Sequence, residues 1–296
     1  MDITEVNAVL SQLMDEYGAL PTAREEIRVW NRSGVERLHL GDGTSVVFKY
    51  AEGPFANEHI ALGIAQNAGL PVPERLAIVR TPNLLGMLLA DLGPAVRDAT
   101  DSEGAALAVA VHQVTDTGGL PTLDSSQLAL MPERMINQFG LLGVDGTALE
   151  AAHALDKIAD SRIDGAELEP FGFCHSEWHP TSVHVGQGGT HLLDFARAFR
   201  GPGLLDLASW YGTVTTPDPD LLTGYIETYI AAGGPNDAGR DRGGLPAALW
   251  ALGWHRVWAA DWFTHQMTIG WACGVEKTWT TAISRHLTEA VKLLNG

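Results

Sequence analysis

Cysteine is scarce in this chain: Cys174 and Cys273 are the only two in 296 residues. Two cysteines without a regular spacing exclude a disulfide framework and a cysteine-rich zinc site. A chain of this length also buries enough apolar surface to fold without such cross-links. We therefore expect a reduced, cytoplasmic protein.

Positive charge is also in short supply. The chain has 19 Lys and Arg against 36 Asp and Glu, and its net charge is −17. A surface of this sign repels phosphodiester backbones and anionic lipids, so we expect neither nucleic acid nor a membrane as a partner. A cationic small molecule would be favoured, although solubility alone explains the same charge.

Long hydrophobic runs are missing as well. No apolar stretch reaches the roughly 20 residues of a membrane span, and residues 1–18 lack the charged-then-apolar order of a secretory signal. No internal repeat appears. What is present is an ordinary globular composition, 45% hydrophobic and 19% charged, with length for one large domain or two modest ones.

Hydrophobic periodicity predicts a β-rich beginning. An amphipathic helix precedes three strands joined by tight turns, and a second helix then leads to two more strands. The predicted helices cover residues 3–17 and 55–68, and the predicted strands cover 27–30, 35–40, 44–50, 75–80 and 84–90.

After Pro94 the pattern becomes mainly helical. Gly- and Asp-rich residues 233–244 are expected to form an exposed loop. The predicted helices cover residues 103–115, one or two segments within 124–159, 204–212, 220–234, 245–270 and 278–294.

Residues 175–206 carry the most specific pattern. The polar loop HSEWHPTSVHV holds Glu177, and a predicted strand pair after it delivers Asp194 into the same cleft. Two carboxylates placed in this way suit one general base and one metal ligand. This is the minimal equipment for moving a phosphoryl group from a nucleotide.

This segment resembles the catalytic core of the aminoglycoside phosphotransferase family, relatives of the protein kinases that phosphorylate small molecules. That family reads roughly His-Gly-Asp-x-His-x-x-Asn, then a strand ending in Asp-Phe-Gly, then Asp-Leu-Ala. The matching residues are His175, His179 and Pro180, and Glu177, Ser182 and Ala196 replace the catalytic Asp, the metal-binding Asn and the Gly. Glutamate is one methylene longer than aspartate, and a misplacement of about 1 Å can cost about 100-fold in rate.

The resemblance extends from about Ile27 to Leu207. It implies an α+β, protein-kinase-like bilobal fold, with a small β-rich N-lobe over residues 1–93 and a large α-helical C-lobe over residues 94–296. It also implies transfer of the γ-phosphoryl group of ATP or GTP, with Mg²⁺, to a hydroxyl of a small molecule. An antibiotic is one such acceptor, in resistance or in biosynthesis.

The resemblance gives roles to the charged residues. Lys49 would neutralise the nucleotide phosphates and be fixed by an ion pair to Glu58, although the same order occurs in ordinary surface salt bridges. Glu177 would accept the hydroxyl proton. Asp194, helped by Ser182, would hold magnesium.

Backbone groups would complete the nucleotide site. The turn at residues 31–34 lies where the family places its phosphate-covering loop, although a plain hairpin turn explains it nearly as well. Residues 88–91 would present backbone groups to a purine edge, or simply lead to the interlobe linker. The residues concerned are Ser33 and Gly34 for phosphate, and Leu88, Ala90 and Asp91 for the purine.

The remaining patterns have a structural and a functional interpretation. His175 and His179, with His184 and His191 nearby, could suggest zinc, but in the resembled family the matching histidines hold the loop by hydrogen bonds. We therefore favour a structural role for them, and for Asp206 as a brace of the loop.

Four tryptophans recur every four residues, a spacing that places them along one face of a helix: Trp250, Trp254, Trp258 and Trp262. Core packing is the interpretation that we favour. The alternative is a stacking wall for a planar or cationic substrate, with Trp258 and Trp262 in contact and Asp261 adding a polar group.

The altered motif positions leave a second hypothesis open. The chain could be a catalytically impaired, kinase-like protein that binds a nucleotide as a scaffold. Retention of Lys49 and Asp194 argues against it, because a protein that no longer binds a metal–nucleotide has little chemical need for both.

Overall fold

The computed structural model describes residues 1–30 and 32–296. Within this part of the chain there are ten α-helices and nine β-strands. The helices are α1 (Ile3–Tyr17), α2 (Glu58–Asn67), α3 (Asp101–His112), α4 (Ser125–Ala129), α5 (Met131–Leu142), α6 (Gly146–Arg162), α7 (Leu204–Ser209), α8 (Pro219–Ala231), α9 (Ala247–Thr268) and α10 (Glu276–Asn295). The strands are β1 (Pro21–Val29), β2 (Ser33–Leu40), β3 (Ser45–Glu52), β4 (Arg75–Arg80), β5 (Leu84–Ala90), β6 (Phe171–Cys174), β7 (Val183–Gly186), β8 (Gly189–Leu192) and β9 (Phe199–Pro202).

Residue contacts divide the chain into two compact units. The first contains Met1–Ala99, Asp116–Leu120 and Pro180–Ala198, and the second contains Thr100–Thr115, Pro121–His179 and Phe199–Gly296. The β7–β8 hairpin therefore belongs to the first unit, although it follows the predicted lobe boundary at residue 93. That boundary stays a prediction.

The first unit is built on a five-stranded antiparallel sheet with the strand order β1-β2-β3-β5-β4. The five predicted strands and the helix between them are confirmed. Strands β2 and β3 alternate buried and partly exposed residues, as expected for a sheet covered on one face. Helix α1 covers that face, and Val9 and Leu13 pack into one core with Leu38 and Phe48.

The edge strand β1 differs from the prediction. It begins at Pro21 rather than at residue 27, and most of its residues are exposed. A β-bulge interrupts its pairing with β2, because Glu26 lies opposite Glu36 whereas Arg28 lies opposite Val35. A bulge of this kind shifts the register by one residue and turns the following side chains to the other face of the sheet.

The second unit is mainly helical and also contains the two-stranded ribbon β6–β9. Helix α9 runs through its core. Trp250 and Trp254 are buried there, and both indole N–H groups donate to the carbonyl oxygen of Arg162, at 2.6 and 3.1 Å. The predicted core role is thus confirmed for these two tryptophans.

The predicted exposed loop at residues 233–244 is wrong in its buried part. Ala238 and Arg242 are buried. The Arg242 guanidinium donates to the carbonyl oxygens of Glu169, at 2.8 Å, and Asp237, at 3.2 Å. Burial lowers the pKa of Arg242 to about 10, so the group remains charged near neutral pH.

No helix in the described ranges 1–30 and 32–296 is both long and apolar enough to cross a membrane.

Candidate active site

Lys49 and Glu58 form an ion pair in the first unit. The neighbours of Lys49 on β3, Phe48 and Tyr50, point into the core, so strand alternation places Lys49 on the opposite face of the sheet. Glu58 begins α2 and is buried, and the Lys49 ammonium donates to it at 2.7 Å. The predicted ion pair is therefore present.

Asp194 joins this pair. The Lys49 ammonium also donates to Asp194 Oδ1, at 2.9 Å, and Glu58 also accepts the backbone N–H of Phe195, at 3.1 Å. One glutamate thus fixes both the lysine and the chain next to the aspartate. Asp194 itself adopts a left-handed backbone conformation, with φ of 70°, which aspartate tolerates better than most residues.

Electrostatics favours the charged form of Lys49. Burial lowers its pKa, but the carboxylates of Asp194 and Glu58 outweigh burial and raise the pKa of Lys49. Burial also raises the pKa of Glu58, against the opposing effect of Lys49. We take the pair as ionised, because Lys49 lies within 2.9 Å of two carboxylates and Glu58 accepts two hydrogen bonds.

Ser182 lies beside Asp194 in the chain fold. It is buried, and its carbonyl oxygen accepts the N–H of Leu193 at 2.9 Å, which brings it next to the residue that precedes Asp194. A carboxylate and a hydroxyl are hard oxygen ligands of the kind that Mg²⁺ prefers. The donor set at Asp194 and Ser182 therefore fits this ion.

The loop with Glu177 lies in the second unit and is held from behind by Asp206. This carboxylate is fully buried and accepts the backbone N–H groups of His175, at 2.6 Å, and Ser176, at 2.7 Å. Its Oδ2 atom also lies 3.3 Å from Nε2 of His112. The bracing role predicted for Asp206 is confirmed.

Residues on either side of Glu177 are fixed. Ser176 has a φ of 81°, a left-handed conformation that favours glycine, and the family pattern has glycine at this position. Trp178 is buried, its indole N–H donates to the Tyr225 hydroxyl at 3.1 Å, and its carbonyl oxygen accepts the Ser209 hydroxyl at 2.8 Å. The half-buried Glu177 is thereby placed on a firmly anchored segment.

The residues predicted to contact the nucleotide through their backbone groups lie in or beside strands β2 and β5. Ser33 and Gly34 begin β2 rather than lie in the turn, and the Tyr50 ring covers Gly34, 2.3 Å from where a Cβ would be. Residue 31 of the same turn lies outside the described residues. The Ala90 N–H donates to the carbonyl oxygen of Glu74, at 2.8 Å. The purine contact of residues 88–91 stays a prediction.

Asp91 has a structural use that the sequence did not predict. Its carboxylate accepts hydrogen bonds from Arg37 and from the Ser45 hydroxyl, both at 2.6 Å, and from the N–H of Gly93, at 2.9 Å. Burial raises the pKa of Asp91, but these partners outweigh burial and lower it to about 2. Asp91 thereby anchors the segment after β5 to β2 and β3.

The predicted substrate residues lie on α9 in the second unit. Asp261 is paired with Arg134 at 2.8 Å, although burial raises the pKa of its carboxyl group. Trp258 is half-buried and packs against Phe199, with ring centroids 5.3 Å apart. Trp262 is also half-buried and belongs to an aromatic cluster with Phe263, Trp271 and Trp279. Their contact with a substrate stays a prediction.

The histidine pattern does not assemble as a cluster of three or more metal ligands. Among residues 1–30 and 32–296 the one group of that kind is His112, Cys174 and Asp206. Asp206 in this group already accepts the two loop N–H groups. His184 and His191 instead lie opposite each other on the β7–β8 hairpin.

Sequence reasoning missed one charged residue at this site. The Arg28 guanidinium lies 3.7 Å from Asp194 Oδ2, whereas the Lys49 ammonium donates to Asp194 Oδ1. No spacing rule indicates this pair, because it depends on the bulge in β1.

Solved structures share this fold over nearly the whole chain. A macrolide 2′-phosphotransferase from Brachybacterium faecium, an apoenzyme, aligns with 94% of this chain and 98% of its own, at 14% identity and a TM-score of 0.63. Amicoumacin kinase hAmiN, in complex with AMP-PNP, Ca²⁺ and Ami, aligns with 98% of this chain and 96% of its own, at 11% identity and a TM-score of 0.61. A choline/ethanolamine kinase family protein from Mesorhizobium loti covers 96% of this chain and 99% of its own, at 13% identity and a TM-score of 0.60.

At these identities the likeness shows the fold, and the predicted protein-kinase-like α+β class is confirmed. The sequence itself identifies the family. Residues 35–244, well over half of the chain, match the phosphotransferase enzyme family, and the chain belongs to it. The protein is thus a phosphotransferase by family. Comparison with curated protein sequences gives no significant match.

Proposed function

We propose that this protein transfers the γ-phosphoryl group of ATP or GTP to a hydroxyl group of a small molecule. The observation that carries the proposal is the position of Lys49, within 2.9 Å of both Glu58 and Asp194. A strand lysine fixed by a helix glutamate and facing an aspartate is the arrangement with which protein kinases hold a nucleoside triphosphate and its metal.

Asp194 and Ser182 would hold Mg²⁺, which when bound neutralises charge on the phosphate oxygens. Lys49 would contact the phosphates directly, and Glu58 keeps its ammonium in place. The N–H groups at Ser33 and Gly34, and the backbone at Leu88, Ala90 and Asp91, are the proposed further contacts to the nucleotide.

Glu177 is the proposed general base. A carboxylate accepts the proton of the acceptor hydroxyl as the hydroxyl oxygen attacks the γ-phosphorus, and the bond to the β-phosphate breaks to release the nucleoside diphosphate. Such catalysis contributes about 10²–10⁴-fold. The anchored neighbours of Glu177 support this role, because a base has to be held in one place to act. Glutamate is one methylene longer than the family's aspartate. The acceptor hydroxyl would therefore have to lie correspondingly further from the backbone of residue 177.

The acceptor is the least defined part of the proposal. Relatives of the same fold carry the names of macrolide, amicoumacin and choline/ethanolamine kinases, so hydroxyl-bearing antibiotics and amino alcohols form the first panel to test. Asp261, Trp258 and Trp262 are the proposed acceptor contacts. A resistance or biosynthetic role in the cytoplasm, where nucleoside triphosphates are abundant, fits this chemistry.

The test measures nucleotide binding and product formation separately. Calorimetry with ATP or GTP, with and without Mg²⁺, reports binding, and mass spectrometry over the acceptor panel reports phosphorylated product. We expect Asp194→Asn to lose Mg²⁺-dependent binding, and Lys49→Ala to raise KM or lower kcat by at least about tenfold.

Glu177→Gln separates catalysis from binding. We expect kcat to fall about 100-fold or more while nucleotide affinity stays unchanged. Glu150→Gln, which removes an exposed carboxylate of α6 in the same unit, is the matched control. Full turnover in Glu177→Gln would show that this residue is not the base. Nucleotide binding without any product across the panel would favour the scaffold hypothesis instead.

A further inference from the structure

Arg28 and Lys49 lie in one row across the sheet. Arg28 pairs with Val35, and Val35 pairs with Lys49. Residues directly opposite each other in antiparallel strands point to the same face. Without the bulge in β1, the register of Glu26 opposite Glu36 would continue with Arg28 opposite Gly34, and Arg28 would face the core. The bulge therefore brings a second cation to the face of Lys49.

These two cations contact the two oxygens of one carboxylate. Lys49 lies 2.9 Å from Asp194 Oδ1, and Arg28 lies 3.7 Å from Asp194 Oδ2. The Arg28 guanidinium also lies over the Trp30 ring, 4.1 Å from its centroid. Stacking on an aromatic ring holds a guanidinium in place while its N–H groups remain free to bind an anion.

The Arg28–Asp194 pair is the weaker of the two. The Arg28 side chain is 52% exposed, and its distance to Asp194 exceeds that of a direct hydrogen bond. Exposed pairs of this kind contribute little to stability and exchange readily for a better partner. Phosphate is such a partner, because its oxygens accept two parallel N–H groups from one guanidinium.

The charges of the site call for another cation. Among these four residues, the two positive charges of Lys49 and Arg28 equal the two negative charges of Glu58 and Asp194. Outside them the chain carries a net charge of −17, which repels a polyanion such as a nucleoside triphosphate. A cation that leaves Asp194 for the incoming phosphates lowers this barrier.

We propose that Arg28 is a phosphate-binding residue of the nucleotide site, and that it exchanges Asp194 for a phosphate oxygen when a nucleoside triphosphate and its metal bind. This inference rests on the proposed function. In the free protein Arg28 lies 3.7 Å from an oxygen of Asp194, the carboxylate that would also bind a metal ion. Arg28 would therefore compete with a metal alone but assist a metal that carries its triphosphate.

If Arg28 exchanges Asp194 for a phosphate, its removal should change the affinities for the triphosphate and for a metal ion alone in opposite directions. In Arg28→Gln we expect the affinity for ATP with Mg²⁺ to fall about tenfold, the low end for a charge-assisted contact at a half-exposed site. Adenosine, which has no phosphate, is expected to bind as to the wild type. The affinity for Mn²⁺ alone is expected to rise about two- to fivefold, because the competing cation is gone.

Calorimetric titrations with these three probes test the proposal, and Arg80→Gln is the matched control. It removes an exposed arginine from β4, at the opposite edge of the same sheet, and leaves the overall charge identical to that of Arg28→Gln. Arg28→Lys keeps the positive charge but loses the two parallel N–H groups of the guanidinium. We therefore expect its affinity for the triphosphate to lie between those of the wild type and Arg28→Gln. Thermal unfolding checks that each variant is folded.

Two failures are distinguishable. If the wild type does not bind a triphosphate with Mg²⁺, the proposed function is wrong. If the wild type binds it and Arg28→Gln binds it equally well, Arg28 is an ordinary surface ion pair and this inference is wrong. Weaker binding of both the triphosphate and Mn²⁺ alone would also overturn it, since that result would place Arg28 in support of the metal site.

Discussion

Asp206→Asn is the most informative change in the second unit. Asp206 is fully buried and accepts N–H groups from His175, at 2.6 Å, and Ser176, at 2.7 Å. An amide has one oxygen, so one of these N–H groups would face an NH₂ donor and lose its acceptor. A buried unsatisfied donor costs about 1–3 kcal/mol, and the remaining bond loses its charge assistance. We expect the free energy of unfolding to fall by about 2–4 kcal/mol.

The effect on activity should be selective. A shift of about 1 Å in the loop can cost about 100-fold in rate, so kcat should fall by about that factor. Nucleotide affinity should stay unchanged, because Lys49, Glu58 and Asp194 contact one another without help from Asp206.

The assay pairs urea unfolding with steady-state kinetics and nucleotide calorimetry. Asp156→Asn, at an exposed position of α6, is the control. Wild-type stability in Asp206→Asn would refute the anchoring role. Nucleotide affinity and kcat falling in parallel would refute the idea that the loop acts on the acceptor side alone.

Three further predictions concern stability. Ser176 combines a φ of 81° with a buried hydroxyl that lacks a hydrogen-bond partner among the described residues. Ser176→Gly should therefore raise the free energy of unfolding, measured by urea titration, by about 1–2 kcal/mol. A loss of stability would contradict this prediction. Burial and two neighbouring arginines lower the pKa of His286 to about 3, so its contribution to stability is complete above pH 6.5 and is lost as the pH falls towards 3. His286→Phe keeps the stacking on Phe263. Its free energy of unfolding should rise by about 2 kcal/mol relative to that of the wild type as the pH falls from 7 to 5. If the difference in unfolding free energy between the two proteins is the same at both pH values, His286 does not titrate in this way. A Cβ at Gly104 would lie 2.2 Å from the Trp210 ring. Gly104→Ala should therefore lower the free energy of unfolding by about 1–3 kcal/mol. An unchanged melting temperature would show that the ring moves aside at no cost.

Local patterns predicted most of the first unit. Tight turns and the short apolar runs between them predicted the strands, and in β2 and β3 buried residues also alternate with partly exposed ones. The start of β1 could not be predicted from the sequence, because residues 21–26 are mostly polar and exposed. Only their pairing with β2 makes them a strand. Burial of Arg242 escaped because its partners are backbone carbonyl groups, one of them 73 residues away in sequence.

The candidate site divides in the same way. The Lys49–Glu58 contact and the Asp206 brace could be predicted, because the resemblance to the family assigns a role to each of these positions. Arg28 could not, since its face depends on a one-residue shift of register that no side chain encodes on its own. The left-handed conformation of Ser176 is likewise imposed by its surroundings, because serine has no preference for it.

Asp206 holds the loop that carries Glu177 through backbone N–H groups, which every residue except proline possesses. The anchor therefore does not depend on which side chain stands at position 177. Aspartate and glutamate codons differ by a single base, so one mutational step exchanges the two residues at this position and leaves both anchoring hydrogen bonds in place.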